Sequence, residues 1–182
     1  GTLTIQSGGE LNLRGRLTAA GTNTGTSFVK IEPGGGIYLD SVYSCAAVRY
    51  SMRVTGTSDY FWWAGTSVGT RPFLTARGDA QPNVSGNPSA LSGQVSSGFS
   101  GEPEFKASYA DFSRLGSTST TYAIYGPMYP TIDHCTFDGC GTINLSGLPA
   151  DANCDVTYTK FTNSLDANLK VAAVNVAKTS GV

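Results

Sequence analysis

Apolar and polar residues alternate along short stretches of this chain, and the stretches come in pairs. In the run from Cys135 to Leu145 the apolar positions include 135, 137, 143 and 145, with Gly139 and Gly141 between the two alternating halves. Alternation turns every second side chain to one face, so this run predicts one strand, a tight Gly-containing corner and a second strand. The same template reads Leu3, Ile5, Leu11, Leu13; then Val29, Ile31, Ile37, Leu39; then Met52, Val54, Tyr60, Trp62; and, towards the C-terminus, Thr159, Phe161, Ala167, Leu169. In all five copies the second and third positions lie six residues apart. Ala110 and Phe112 open a sixth copy if its corner is enlarged, so that Ile124 takes the third position.

From Ile5 to Ile31 is 26 residues, from Ile31 to Val54 is 23, from Phe112 to Phe137 is 25, and from Phe137 to Phe161 is 24. A period of this length, built from short strands and Gly corners without helical periodicity, predicts a solenoid. One repeat has too little apolar surface to stand alone, so neighbours must stack over a continuous core. The segments Ile132 to Gly141 and Val156 to Asn163 resemble repeats of right-handed parallel β-helices, the fold of pectate lyases, polygalacturonases, phage tailspikes and bacterial surface proteins. The opening Gly1 to Leu11 is similar to coils of secreted adhesins. The resemblance implies an all-β, right-handed parallel β-helix. The expected organisation is a single domain over 1–182, about seven coils with one long loop excursion at 78–104. Function does not follow, because this fold carries enzymes, adhesins and structural parts alike.

Composition narrows the class. Of 182 residues, 40% are hydrophobic and 14% charged, with 23 Gly and a net charge of −1, which suits a secreted all-β domain. Near-neutrality without a basic run argues against nucleic acid as a partner, and no apolar stretch is long enough to span a bilayer. The chain starts at Gly1 with no apolar leader, so the expectation is a processed mature chain or a piece of a larger one.

Along the regular coils at 1–62, the outward columns are expected to be Thr4, Lys30, Arg53 and Asn12, Tyr38, Phe61. Lys30 and Arg53 interrupt the flat Thr ladder that an ice-binding surface would need. In Tyr60-Phe61-Trp62-Trp63 the expected alternation sends Tyr60 and Trp62 inward, leaving Phe61 and Trp63 outward. With Tyr38 they form a candidate surface for sugars or a protein partner, unless a neighbouring loop covers them. The stretch 78–104, rich in Gly, Ser, Pro and Asn, reads as a loop leaving the solenoid wall, or as a degenerate coil. Arg77-Gly78-Asp79 spells an integrin-type tripeptide, for which chance is the better explanation. Asn83 and Asn144 each begin a glycosylation sequon.

Cys135 sits at an inward template position and reads as core. A disulfide among Cys45, Cys140 and Cys154 suits a secreted chain, with the pairing open. With a single His and no Cys-x-x-Cys, zinc-site spacing is absent, and neither metal nor cofactor is expected.

Polar residues gather in the C-terminal coils. Aligning the Phe positions stacks Tyr109, His134, Tyr158 in one column and Asp111, Thr136, Lys160 in another, with Asp133, Asp138 and Asp155 nearby. A hydrolase of this fold needs carboxylates paired across the scissile bond, and a lyase needs acidic Ca²⁺ ligands beside a base. Asp111, Asp133, His134, Asp138 and Lys160, with Arg114 near them, are the only candidates, and they are scattered. The expectation is therefore a non-catalytic extracellular structural or adhesive solenoid. Its strand-like ends, Gly1 to Ile5 and Leu169 to Val176, suggest self-association through terminal coils into a filament, or continuation into neighbouring domains. The alternative is a β-helix that binds or degrades polysaccharide, with glycans as partners.

Overall fold

The computed structural model describes residues 2–20, 28–40, 45–49, 60–77, 91–95, 104–116, 122–126, 128–144, 153–165, 169–170 and 175–178. Within them the strands are β1 (Thr2–Ile5), β2 (Glu10–Leu13), β3 (Leu17–Ala20), β4 (Phe28–Ile31), β5 (Gly36–Leu39), β6 (Cys45–Arg49), β7 (Tyr60–Ala64), β8 (Phe73–Ala76), β9 (Leu91–Val95), β10 (Glu104–Ser108), β11 (Asp111–Ser113), β12 (Ile124–Tyr125), β13 (Tyr129–Asp133), β14 (Thr136–Asp138), β15 (Ile143–Asn144), β16 (Asn153–Thr157), β17 (Lys160–Thr162), β18 (Leu169–Lys170) and β19 (Asn175–Lys178). A single 3-10 turn, Val68–Thr70, is the only helical element among the described residues.

Every strand pairs in parallel, and the strands sort into three sheets. The first has seven strands in the order β1-β4-β7-β10-β13-β16-β19; the second runs β2-β5-β8-β11-β14-β17 and the third β3-β6-β9-β12-β15-β18. The chain therefore visits first, second and third sheet in turn and then returns to the first. Parallel neighbours cannot be joined by a hairpin, and here the other two sheets supply the connection.

The interior is one apolar cluster. Ile5, Val29, Ile31, Ile37, Leu39, Cys135, Phe137 and Ile143 are buried in it as the alternation predicts, and Leu3, Leu11, Leu13 and Phe161 pack against it partly covered. Leu145 lies outside the described residues. Aromatic rings make a continuous inner ladder: Phe61 to Trp63 at 5.9 Å, Trp63 to Phe112 at 5.2 Å, Phe112 to Phe137 at 4.8 Å and Phe137 to Phe161 at 5.3 Å. The indole Nε1 of Trp63 donates to the Phe73 carbonyl at 3.3 Å, so its one polar atom is not left unpaired in the core.

The third passage corrects the expected register. Val29 pairs with Phe61 and Ile31 with Trp63, so Phe61 and Trp63 are the inward pair, each with no exposed surface, and Tyr60 and Trp62 face outward. Residues 60–64 also belong to the first sheet rather than the second, and Phe73–Ala76 supplies the second-sheet strand. Accordingly Trp62, not Arg53, continues the column Thr4, Lys30, and Thr75, not Phe61, continues Asn12, Tyr38. Met52, Val54 and Arg53 lie outside the described residues. Because parallel strands share one register across a sheet, the inward set of β7 is dictated by β4. The stretch expected as a loop at 78–104 contains β9, which joins the third sheet between β6 and β12, and its last residue, Glu104, opens β10.

Candidate functional site

Corner geometry decides where polar side chains meet. In the later passages the chain turns from first to second sheet through one left-handed residue: Tyr109 (φ 44), His134 (φ 53) and Tyr158 (φ 47). Each is followed by a buried small residue, Ala110, Cys135 or Thr159. The corners stack in register, with Tyr109 N donating to Asp133 O at 2.9 Å and His134 N to Thr157 O at 3.0 Å. The imidazole of His134 is thereby sandwiched between Tyr109 at 4.6 Å and Tyr158 at 4.7 Å, the column expected from the sequence.

Asp133 anchors this corner. Its Oδ2 lies 2.9 Å from His134 Nδ1, and its Oδ1 accepts the Thr157 hydroxyl at 2.5 Å. Burial disfavours the Asp133 carboxylate, but the Thr157 and His134 contacts outweigh it and hold its pKa below the usual carboxylate value.

A second group lies on the outer face of the second sheet. Asp111, Thr136 and Lys160 align across β11, β14 and β17, as do Ser113, Asp138 and Thr162 beside them. Together with Asn163 they line an open groove of about 500 Å³. Asp138 Oδ1 accepts the Asn163 amide at 2.7 Å and the Thr162 hydroxyl at 2.8 Å, and these two bonds, the amide's foremost, lower the carboxyl pKa. Asp111 is tied to Arg71, whose Nη1 donates to Asp111 Oδ1 at 2.9 Å and to the Ala110 carbonyl at 3.3 Å. Arg71 arrives from the long corner between β7 and β8, so an early passage positions a carboxylate of a later one.

Of the acid and base residues singled out from sequence, Asp111, Asp138 and Lys160 thus share one groove, while Asp133 and His134 form a separate pair at the corner. Ser113, Thr162 and Asn163 were not legible as groove residues, nor was Arg71 as the partner of Asp111. Asn163 (φ 48) could have been found, because it occupies the left-handed position equivalent to Arg114 (φ 59) and Gly139 (φ 59), where Asn is favoured.

The proposed aromatic contact surface does not form. Phe61 and Trp63 are enclosed in the core. Tyr38 does face outward, but the Arg77 guanidinium lies over its ring at 4.0 Å and Phe73 tilts against it at 4.9 Å. Arg77 is bound by Asp40 and Asn12 as well, and the Arg77 hydrogen bond depresses the Asp40 pKa. Arg77, the first residue of the integrin-type tripeptide, is thus engaged within the chain, and residues 78 and 79 lie outside the described residues. Cys140, one of three cysteines considered for a disulfide, is a buried free thiol; burial pushes it and Cys135 up to about 12. Cys45 and Cys154 lie on β6 and β16, with side chains outside the described residues. Asn144 is 3% exposed, which closes that sequon to a glycan, and Asn83 is outside the described residues. Among the described residues no three His, Cys, Asp or Glu side chains group as metal ligands, and no helix is long and apolar enough to cross a membrane.

No family model, no curated protein and no solved structure matches this chain.

Proposed function

We propose that this chain is a stretch of right-handed parallel β-helix, about seven coils long, secreted or held at a cell surface, that serves as a rigid structural and adhesive element rather than as a catalyst. The observation that carries this reading is the inner column Phe112, Phe137, Phe161, kept in register and stacked across three successive passages at 4.8 Å and 5.3 Å. These three phenyl rings, stacked within about 15° of parallel on adjacent parallel strands, resist bending and shear, which is what a spacer or fibre element requires. The state of the acids supports it: glycoside hydrolysis needs one carboxyl held protonated, whereas the pKa values of Asp133 and Asp138 are both lowered by their hydrogen-bond partners, and Asp111 is engaged in an ion pair with Arg71. Assembly would run through the terminal coils, a further parallel strand on the outer edge of β1 coming from a second copy or from more of the same chain.

Electron microscopy of the purified chain, with native mass measurement, tests the structural reading: rods or filaments are expected. Turnover of polygalacturonate or another acidic glycan that is abolished by Asp138→Asn or Lys160→Ala would overturn it. The groove at Asp111, Asp138 and Lys160 favours one alternative, a polysaccharide-binding wall, because hydroxyls, an amide, two carboxylates and an ammonium all converge there. Glycan-array binding lost in Lys160→Ala would support that alternative.

A further inference from the structure

The outer face of the first sheet carries two neighbouring columns. One runs Phe28, Tyr60, Glu104 and the other Lys30, Trp62, Lys106, so that each of the three strands β4, β7 and β10 contributes one residue to each column. These six side chains are partly exposed, with Lys30 at 29%, Glu104 at 33% and Lys106 at 43%.

Their surroundings disfavour two kinds of ligand. A sugar stacks on an open ring face, but Phe28 and Tyr60 use their faces on each other at 4.9 Å and 2°, Lys30 covers Trp62 at 5.0 Å, and Lys106 sits 5.3 Å from the Tyr60 centroid. A polyanion would meet a carboxylate beside each cation, since Lys30 pairs with Glu32 at 3.3 Å and Lys106 with Glu104 at 2.5 Å. What the face still offers is ring edges and charged tips in a fixed order.

That order is self-complementary. Rotating a second copy by half a turn about an axis in the plane of the face, parallel to the direction in which strands stack, lays the first column on the second. Phe28 then faces the other copy's Lys30, Tyr60 its Trp62, and Glu104 its Lys106, each contact occurring twice. We propose that the first sheet docks face to face on the first sheet of a second copy of this chain. The arrangement is isologous, brings acid to base and ring to ring or cation, and places Trp and Tyr at the centre of the contact, where such residues carry most binding energy. Sheets packed this way lie about 10 Å apart. This side-by-side pairing is independent of end-to-end stacking through terminal coils.

The test is sedimentation equilibrium on the full chain with charge-reversed variants. The unaltered chain is expected to dimerise, Trp62→Ala to abolish dimerisation, and K106E or E104K alone to raise the dissociation constant about tenfold or more by setting like charges opposite each other. An equimolar mixture of K106E and E104K should associate again as a heterodimer, because each variant then presents the charge the other needs. The double variant E104K/K106E keeps the pair within the chain and should dimerise like the unaltered protein, which guards against misfolding of the single variants. A chain that stays monomeric at high concentration, a mixture that fails to associate, or a Trp62→Ala dimer of undiminished strength overturns the proposal. Filaments that persist in Trp62→Ala while the dimer is lost would separate this interface from end-to-end assembly.

Discussion

The first two passages and the fourth to sixth turn the same corner in different ways. Between first and second sheet the early chain uses Gly8 (φ 71) and Gly34 (φ 76) in open turns closed by Gly9 N to Gln6 O at 2.8 Å and Gly35 N to Glu32 O at 2.9 Å. The later chain uses Tyr109, His134 and Tyr158 in the same left-handed region, with a shorter link and rings stacked on each other. Side chains with a Cβ are strained there by roughly 1–2 kcal/mol, so the later corners accept a cost that the early ones avoid. Ring stacking at both faces of His134 offsets it, since each such contact is worth about 0.5–1.5 kcal/mol. The early corners are locally relaxed but contribute no stacking between passages; the later ones are locally strained and bind adjacent passages to each other.

Between the two regions stands the long corner at 65–72, and the sharpest way to break the molecule is there. Trp63 touches Phe61, Phe105 and Phe112, so it joins the early rings to the later ladder. Trp63→Ala is expected to cost about 3–5 kcal/mol and to split the denaturant melt into separate early and late transitions. A single transition shifted by under 1 kcal/mol, well below that range, would show that the two regions are not coupled through this ring. Phe137→Ala, inside the later ladder, should cost a comparable amount without splitting the melt.

Gly65→Ala comes next. An added methyl would lie 2.4 Å from the Ser108 carbonyl oxygen and 2.6 Å from that of Tyr109, both backbone atoms that cannot swing aside. The expected loss is about 1–3 kcal/mol by melt, the usual range for forced overpacking. Gly69→Ala in the same corner meets nothing within 4 Å and should be nearly silent.

Replacing the corner residues themselves sharpens the contrast. Gly8→Ala has open space but a left-handed backbone, and should destabilise by about 1 kcal/mol. His134→Gly should also destabilise, because relieving the backbone costs two ring contacts and the bond to Asp133. A stabilised His134→Gly variant would mean that strain, not stacking, dominates the later corners.

The smallest effect is expected with pH. The folded-state pKa of Asp133 is lowered, so its contribution is fully present above the unfolded value of about 3.9 and is lost as pH falls through the folded value. Asp133→Asn should therefore flatten the loss of stability on acidification below about pH 5 and leave the neutral-pH slope unchanged. An acid limb as steep as that of the unaltered chain would exclude Asp133 as a contributor.

Alternation and periodicity by themselves determined that this chain is built from short, half-inward strands, that Phe112, Phe137 and Phe161 share a column, and that Tyr109, His134 and Tyr158 stack. Those passages differ by 24 or 25 residues and keep one geometry, so alignment along the sequence and pairing in space coincide. What the sequence left undecided was phase. The six-residue spacing spans the first-to-second corner in Ile5 to Leu11 but the second-to-third corner in Phe137 to Ile143, and two different corners with one spacing cannot be told apart by counting. In Tyr60 to Trp63 every residue is aromatic, so alternation carries no contrast, and only pairing of Val29 with Phe61 and Ile31 with Trp63 chose the inward set. Arg71 is the extreme case: it reaches Asp111, 40 residues away in sequence, and this contact exists only because parallel stacking brings successive passages within about 5 Å of each other.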